Sequence, residues 1–306
     1  TAYEIGLGIP AEPLFRSIHL KVMSSFFTYT KKQSIEMLAV GCFDGFHLGH
    51  KQLLKHLKRE NSALLVIDKF QNDRLVPKEK MKELCEFDLI FVDFKEIKNL
   101  SAKAFLAHLQ AEFTELKTLV VGEDFRFGKQ RGAGAKDIEK LSSLRAIIIA
   151  DFEFKGISVH SKFIKECLLR GECELASELL GRDYAVCGLL ESGQGIGAKE
   201  LVATLNLNTK NYFLPKSGVW ASLCEIGGQI FKSVSFIGLR STDGKFSVES
   251  HILDEKFDLK LKKNEKITLI FKKFLRENRH FDDLNLLKAQ IQKDCQNAQK
   301  CLKDTQ

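Results

Sequence analysis

Two imidazoles lie close together in His47-Leu48-Gly49-His50. The run before them, Met37-Leu38-Ala39-Val40, is apolar and short. It reads as a buried strand, broken by the turn-capable Gly41 and Gly45. Beyond them Leu53, Leu54 and Leu57 recur at helical spacing, and a second apolar run, Ala63-Leu64-Leu65-Val66-Ile67, follows. Strand, loop, helix, strand predicts a parallel crossover unit. Its loop delivers backbone N–H groups and the positive end of a helix dipole to one spot, so phosphate is the natural guest. The histidines add side-chain donors, and Gly49 lets a polyphosphate approach the backbone. Two surface histidines at a helix start are the plain alternative. The position after Gly-x-Phe-Asp-Gly at a strand-to-helix turn favours the phosphate site.

Other residues able to do chemistry are spread along the chain. Gly122-Glu123-Asp124-Phe125-Arg126-Phe127-Gly128-Lys129-Gln130-Arg131-Gly132 alternates aromatics with charge, then sets glycines beside cations. It is either a solvated surface loop or a ligand loop. Residues 157–162 lead a polar cluster into a predicted helix over 163–169. Gly193-Gln194-Gly195-Ile196-Gly197 is a weak glycine signal. Thr204 and Asn206 stand two residues apart on a predicted strand and so point the same way. A hydroxyl and an amide oxygen are hard donors that suit Mg²⁺ bridging ATP phosphates. Glu249 lies opposite Val248 on another predicted strand, on the side open to solvent or substrate.

The elements that must position these residues fall into two textures. From about 34 to 150, strand-like runs (37–41, 63–67, 87–94, 118–122) alternate with helix-like ones (78–85 and 100–109, with Ser101 as N-cap). Such alternation predicts an open parallel α/β sheet with helices on both faces, whose ligands sit beyond the carboxyl ends of strands. From Tyr184 the texture is β: short runs at 185–190, 201–207, 218–223, 233–238, 246–253 and 266–271, separated by glycine-bearing turns, predict a small antiparallel barrel. A C-terminal helix over 281–302 should set Leu284, Leu287, Ile291 and Ala298 near one face. Residues 1–22 lack periodicity, hold two of the four prolines and are set aside as a leader segment, with Met23 a plausible start. The domains are then 23–183 and 184–306.

The totals agree. A chain of 306 residues suits two domains, and 44% hydrophobic with 28% charged residues is ordinary globular composition. No apolar run approaches the ~20 residues that span a bilayer. A net charge of +7 suits anionic small molecules, with no nucleic-acid module in view. Eight cysteines without metal spacing predict reduced thiols in a cytoplasmic protein.

Gly41-Cys42-Phe43-Asp44-Gly45-Phe46-His47-Leu48-Gly49-His50 resembles the signature of bacterial bifunctional riboflavin kinase/FMN adenylyltransferases, with Cys42 where the family has Asn. Residues 122–134, following Val121, resemble V-G-x-D-F-R-F-G-x-x-R-x-G, and residues 159–168 resemble the family's I-S-S-T-x-I-R-x-x-L segment. Leu179–Tyr184 resembles L-L-G-R-x-Y. Residues 197–206 resemble G-x-x-L-G-F-P-T-A-N, with Ala203 for its Pro, Leu205 for its Ala and Leu201 where a Gly usually sits. Pro215–Ala221, Gly238–Thr242, Ser247–Asp254 and Phe274–Glu277 match further riboflavin kinase segments. The resemblance implies a Rossmann-like nucleotidyltransferase domain followed by the barrel. It implies His47 and His50 as catalytic in adenylylation, with Gly41, Phe43, Asp44, Gly49, Ser161 and Lys165 at ATP. Asp124, Phe125, Arg126, Phe127 and Arg131 would form the flavin loop, although the two phenylalanines are equally core anchors and Arg126 equally a loop brace. In the barrel it implies Glu249 as base, Gly197, Thr204 and Asn206 at MgATP, and Arg276 binding or organising the flavin site.

Three functions follow as alternatives. The first phosphorylates riboflavin to FMN in the barrel and adenylylates FMN to FAD in the N-terminal domain, with ATP and Mg²⁺ as cofactors. The second keeps adenylylation alone, with an inactive or flavin-binding barrel. The third is a flavin or nucleotide sensor without turnover. The partners are riboflavin, FMN and ATP, with no nucleic acid and no membrane, in a monomer or weak homo-oligomer.

Overall fold

The apolar runs become strands because alternate residues bury on opposite faces. Strand β1 is Phe27–Thr28, β2 Met37–Gly41, β3 Ser62–Asp68, β4 Asp88–Asp93, β5 Thr118–Gly122 and β6 Arg145–Ile149. The order across the sheet is β1-β4-β3-β2-β5-β6. Pairs from β4 to β6 are parallel, and β1 adds a short antiparallel edge that the sequence pattern did not suggest. The computed structural model describes residues 27–28, 34–69, 73–191, 203–240, 243–254 and 261–303. The leader segment and Gly197 lie outside them.

Leu38, Val40, Ala63 and Leu65 bury on one face against α2 (Ala102–Glu112) through Phe105, Leu106 and Leu109. Ala39, Leu64 and Val66 bury on the other, against Leu53, Leu54 and Leu57 in and just beyond α1 (Leu48–Leu54). Helices thus cover both faces, as the alternation predicts. Ser101 caps α2, its hydroxyl accepting from the Ala104 N–H at 3.2 Å.

Helices α3 (Ser161–Arg170) and α4 (Cys173–Leu180) form the hinge of the chain. Gly181 ends α4 in the left-handed conformation that favours glycine (φ 67°). A six-stranded closed antiparallel barrel follows: β7 Ala185–Glu191, β8 Leu205–Asn208, β9 Gly218–Ile226, β10 Gln229–Leu239, β11 Phe246–Ile252 and β12 Lys266–Arg276, in the order β7-β8-β11-β10-β9-β12. Trp220, Ile267, Leu269 and Phe271 inside it share one hydrophobic cluster with Ile164, Leu168, Leu179 and Leu180 of the helix pair. The interior also holds four buried serines, 222, 233, 235 and 250, whose hydroxyls bond one another at 2.7–3.0 Å. Mutual bonding is what lets them stay inside.

Two readings change. Thr204 lies just ahead of β8, because His251 Nδ1 contacts the Ala203 carbonyl at 2.8 Å and the ladder begins only at Leu205. The C-terminal helix α5 (Leu284–Cys301) buries Asp294 and Ala298, while Leu284 is exposed. It docks through its second half, over Val219, Ala221 and Leu223 of β9. Arg276 at the end of β12 holds that half: its fork grips the Asp294 carboxylate at 2.7–3.0 Å. Removing the buried carboxylate leaves the largely buried Arg276 fork without its charged partner. Asp294→Asn should cost about 3 kcal/mol of stability, read as a lower urea midpoint.

Candidate active site

In this strand order β2 has β3 on one side and β5 on the other, so the chain direction switches between β2 and β5. Open parallel sheets bind ligands in the crevice outside the carboxyl ends at that point. The loops after β2 and after β5 both open there, onto a cleft of ≈480 Å³.

The first loop is held in an unusual shape. Phe43 (φ 48°) and Phe46 (φ 44°) adopt left-handed conformations that side chains disfavour, and Gly45 (φ 87°) a third. Both phenylalanines are buried. Asp44 pins the turn: Oδ1 accepts from the Leu75 N–H at 2.7 Å, and Oδ2 lies 2.7 Å from Lys165 Nζ. The Ser161 hydroxyl donates to the Asp44 carbonyl at 2.8 Å, and Arg182 Nη2 donates to the Gly45 carbonyl at 2.7 Å.

That turn delivers His47 as the residue capping α1. Its Nδ1 accepts from the His50 N–H at 3.3 Å, which leaves its ring proton on Nε2. The two rings stack, centroids 3.6 Å apart, and Phe43 tilts against His50 at 5.2 Å. Gly49 permits this: a Cβ there would stand 3.0 Å from the Val159 carbonyl oxygen and 3.1–3.2 Å from the His47 ring. Burial, and secondarily the His160 and Arg182 charges, push His47 down to about 3. Burial pushes His50 well down too, and its Nδ1 has no hydrogen-bond partner among the described residues. Both rings are neutral at ordinary pH and act as oriented dipoles rather than cations.

Of the residues singled out in the sequence, Gly41, Phe43, His47, Gly49, His50, Asp124, Phe125, Arg126, Phe127, Arg131 and Ser161 line the cleft. Phe127 is also a core anchor, packing on Phe105 at 5.9 Å, with Phe125 stacked on it at 5.4 Å. Arg126 lies across Gly134, where any Cβ would meet its guanidinium at 2.5 Å. Asp44 and Lys165 are not among the lining residues; their charges face each other, and Lys165 also donates to the Asp73 carbonyl at 2.7 Å.

A second cluster sits on the barrel. Asn206 and Glu249 are register partners on β8 and β11, which sets their Cβ atoms about 5 Å apart on one face. Val248, Ser250 and Ile252 point inward and are buried; Glu249 points out and is half-buried. Arg240 approaches it at 3.5 Å while its fork holds Asp243 at 2.7–3.0 Å. Arg276 is engaged by Asp294, so its present role is to organise α5.

Several residues escaped the sequence reading. Arg74 is buried, pairs with Asp68 at 2.7 Å and donates to the Cys42 carbonyl at 3.2 Å, bracing the histidine loop from behind. His160 and Asp151 line the cleft beside the histidine pair, 3.4 Å apart. Leu239 and Phe246, exposed and paired across the β10–β11 hairpin, flank Arg240. Spacing carries no trace of these, apart from the polar cluster that included His160.

Fold and site together define a nucleotide-binding open α/β unit joined to a closed antiparallel barrel. A family model described as FAD synthetase matches residues 74–163, and one described as riboflavin kinase matches residues 180–302. A bifunctional riboflavin kinase/FMN adenylyltransferase of Buchnera aphidicola subsp. Schizaphis graminum is 30% identical over 92% of this chain and 98% of its own length. The Escherichia coli K12 protein of the same name is 28% identical over 84% and 90%. A crystal structure named as a macrolide-efflux protein from Streptococcus pneumoniae has the same fold, with TM-score 0.74 at 22% identity over 88% of this chain and 95% of its own. The chain belongs to the bifunctional riboflavin kinase/FMN adenylyltransferase family.

The neutral histidine pair has a measurable consequence. Ring resonances of His47 and His50 should keep their neutral-form positions from about pH 8 to about pH 5. The unfolded chain takes up protons at 6.5 that native His47 refuses until about 3. Unfolding therefore binds protons in that window, and stability should fall as pH drops through it. NMR titration alongside urea melts at each pH reads both effects.

Proposed function

We infer that the chain makes FAD from riboflavin in two ATP-dependent steps. The barrel phosphorylates riboflavin to FMN, and the N-terminal unit adenylylates FMN to FAD with release of pyrophosphate. The observation that carries the first-domain reading is the stacked His47–His50 pair at the sheet's switch point, in a chain of this family. The division at 183/184 assigns one step to each unit. Matching of the riboflavin kinase model to residues 180–302 favours two activities over adenylylation alone.

In the crevice, an FMN phosphate oxygen attacks the α-phosphorus of ATP. That P–O bond forms as the bond to the β-phosphate oxygen breaks, and pyrophosphate leaves. The nucleophile is already ionised, so no base and no covalent enzyme intermediate are needed. Catalysis is then positioning and preorganised donors. His47 Nε2–H and the α1 backbone N–H groups supply donors, and Gly41 and Gly49 allow close approach. Phe125 and the Arg126–Arg131 loop close the flavin side. Asp44 and Lys165 act from behind by fixing the loop, while Ser161 both lines the cleft and holds the Asp44 carbonyl.

On the barrel, Glu249 takes the proton of the ribityl 5′-hydroxyl as its oxygen attacks the γ-phosphorus, and ADP leaves. Thr204 and Asn206 would hold Mg²⁺ together with the ATP phosphates. Hard neutral oxygens fit an ion that keeps several waters and takes few protein ligands, and Asn206 is register partner to the base. When bound, the ion neutralises phosphate charge. Leu239 and Phe246 offer apolar surface to an isoalloxazine ring. The same proposal includes cytoplasmic residence as a monomer or weak homo-oligomer without nucleic acid. It is supported by eight free cysteines. No helix among the described residues is long and apolar enough to cross a membrane.

Incubation with riboflavin and MgATP, followed by separation of the flavins, should yield FMN and then FAD. His47→Ala should cut FAD formation roughly 10²–10³-fold and leave FMN formation intact. Glu249→Gln should slow FMN formation roughly 10²–10⁴-fold while FAD still forms from supplied FMN. Flavin binding without either product would mark a sensor.

A further inference from the structure

The histidine pair itself sets no positive charge against a triphosphate, although Lys69, Arg126 and Arg131 line the same cleft. His47 and His50 are neutral. The start of α3 offers several polar groups, and most are engaged elsewhere. The Ser161 hydroxyl donates to the Asp44 carbonyl. Lys165 pairs with Asp44 and donates to the Asp73 carbonyl. Lys162 is 90% exposed and faces Glu166 at 3.9 Å.

His160 differs from all of these. It immediately precedes α3 and lines the same cleft as the histidine pair. Its Nε2 lies 3.4 Å from Asp151 Oδ2, and its side chain is 46% exposed, open to a ligand. Asp151 is itself fixed: its N–H donates to Glu123 Oε1 at 2.9 Å, and its Oδ2 accepts from the Ser158 hydroxyl. The Val159 N–H donates to the Phe152 carbonyl at 3.0 Å, tying the segment that bears His160 to the one that bears Asp151. A carboxylate behind an imidazole fixes its ring plane and engages one of its two nitrogens.

We propose that His160, oriented by Asp151, binds the triphosphate of ATP in the adenylylation crevice, with Asp151 as its positioning residue. This rests on the reading of the crevice as the adenylyl-transfer site. The ring donates through one nitrogen to Asp151 and through the other to a phosphate oxygen. It thereby adds a charge-assisted donor beside that of His47 Nε2–H. No bond is made or broken at His160, so its effect falls on ATP binding rather than on the chemical step.

Steady-state FAD formation from FMN and MgATP tests this, with FMN formation from riboflavin by the same preparation reporting an intact fold. His160→Ala and the less disruptive His160→Asn should raise the KM for ATP in FAD formation about 10- to 100-fold, the worth of one charge-assisted hydrogen bond. The kcat should change far less. His160→Lys should restore most of the loss, and Asp151→Asn should move KM the same way by a smaller factor. If both His160 variants keep KM within about twofold of the parent while His47→Ala cuts FAD formation as expected, His160 is not on the triphosphate and the reading of the crevice stands. A parent enzyme that forms no FAD from FMN and ATP removes both.

Discussion

The loop between β2 and α1 carries three left-handed residues in four, and two of them are phenylalanines. A conformation of that kind costs on the order of 1–3 kcal/mol per side chain and persists only where the surroundings overdetermine it. Here the surroundings are four contacts on two adjacent residues. Leu75, Lys165 and Ser161 hold Asp44, and Arg182 holds the Gly45 carbonyl. Gly45 itself is wedged against Leu75, where any Cβ would come within 2.8 Å. Take away the buried carboxylate and the Leu75 and Lys165 contacts go, leaving only bonds to backbone carbonyls to keep Phe43 and Phe46 turned inward. The stacked imidazoles depend on that turn, because Phe43 supports the His50 ring and Phe46 immediately precedes His47.

The same contacts join the two halves of the molecule. Lys165 and Ser161 lie on α3 and Arg182 follows α4, so the hinge helices clamp the nucleotide loop on one side. On the other side they seal the barrel, sharing its hydrophobic cluster. The backbone around Arg74, which braces the histidine loop, pairs with the segment just after β8: the Arg74 N–H donates to Asn211 and the Phe213 N–H to Arg74, at 3.1 and 2.8 Å. Tyr184, buried at the junction, donates its hydroxyl to the Phe213 carbonyl. β8 carries Asn206. The two candidate sites therefore rest on one continuous scaffold, and a shift at the Asn206 strand has a short covalent and hydrogen-bonded route to the loop bearing His47.

The parts legible in the sequence were those written in short-range periodicity. Leu38 and Val40 against Ala39 gave a strand buried on both faces. Ser101 announced a cap. Val248 against Glu249 told which side of its strand the carboxylate faced. The register that brings Asn206 opposite Glu249 was not readable, because a pairing across more than forty residues leaves no period. The roles of charged residues were hidden for the same reason. Ser161 reaches Asp44 across 117 residues, Arg182 reaches Gly45 across 137, and Lys165 reaches Asp73 across 92. A lysine beside a phosphate site reads in sequence as a phosphate ligand; only the fold shows that a buried carboxylate claims it first. Leu284 misled in the opposite way. Helical spacing marks a stripe, but only the half of α5 anchored by Asp294 has barrel beneath it.

The neutrality of the two imidazoles follows from the packing. Stacking two largely buried rings 3.6 Å apart makes a charge on either one costly, since each would face the other and little water. The gain is fixed direction: His47 is locked in one tautomer by the His50 N–H, so its remaining proton points along a single vector. A group of that kind stabilises charge that develops at one place without drawing the substrate more tightly beforehand, which is what a rate enhancement requires. Attraction for the whole polyanion must then come from groups that can afford solvent. The exposed Lys69, Arg126, Arg131 and His160 around the same cleft are of that type. Division of labour between a dry, neutral, directional centre and a wet, charged rim is the arrangement this loop geometry imposes.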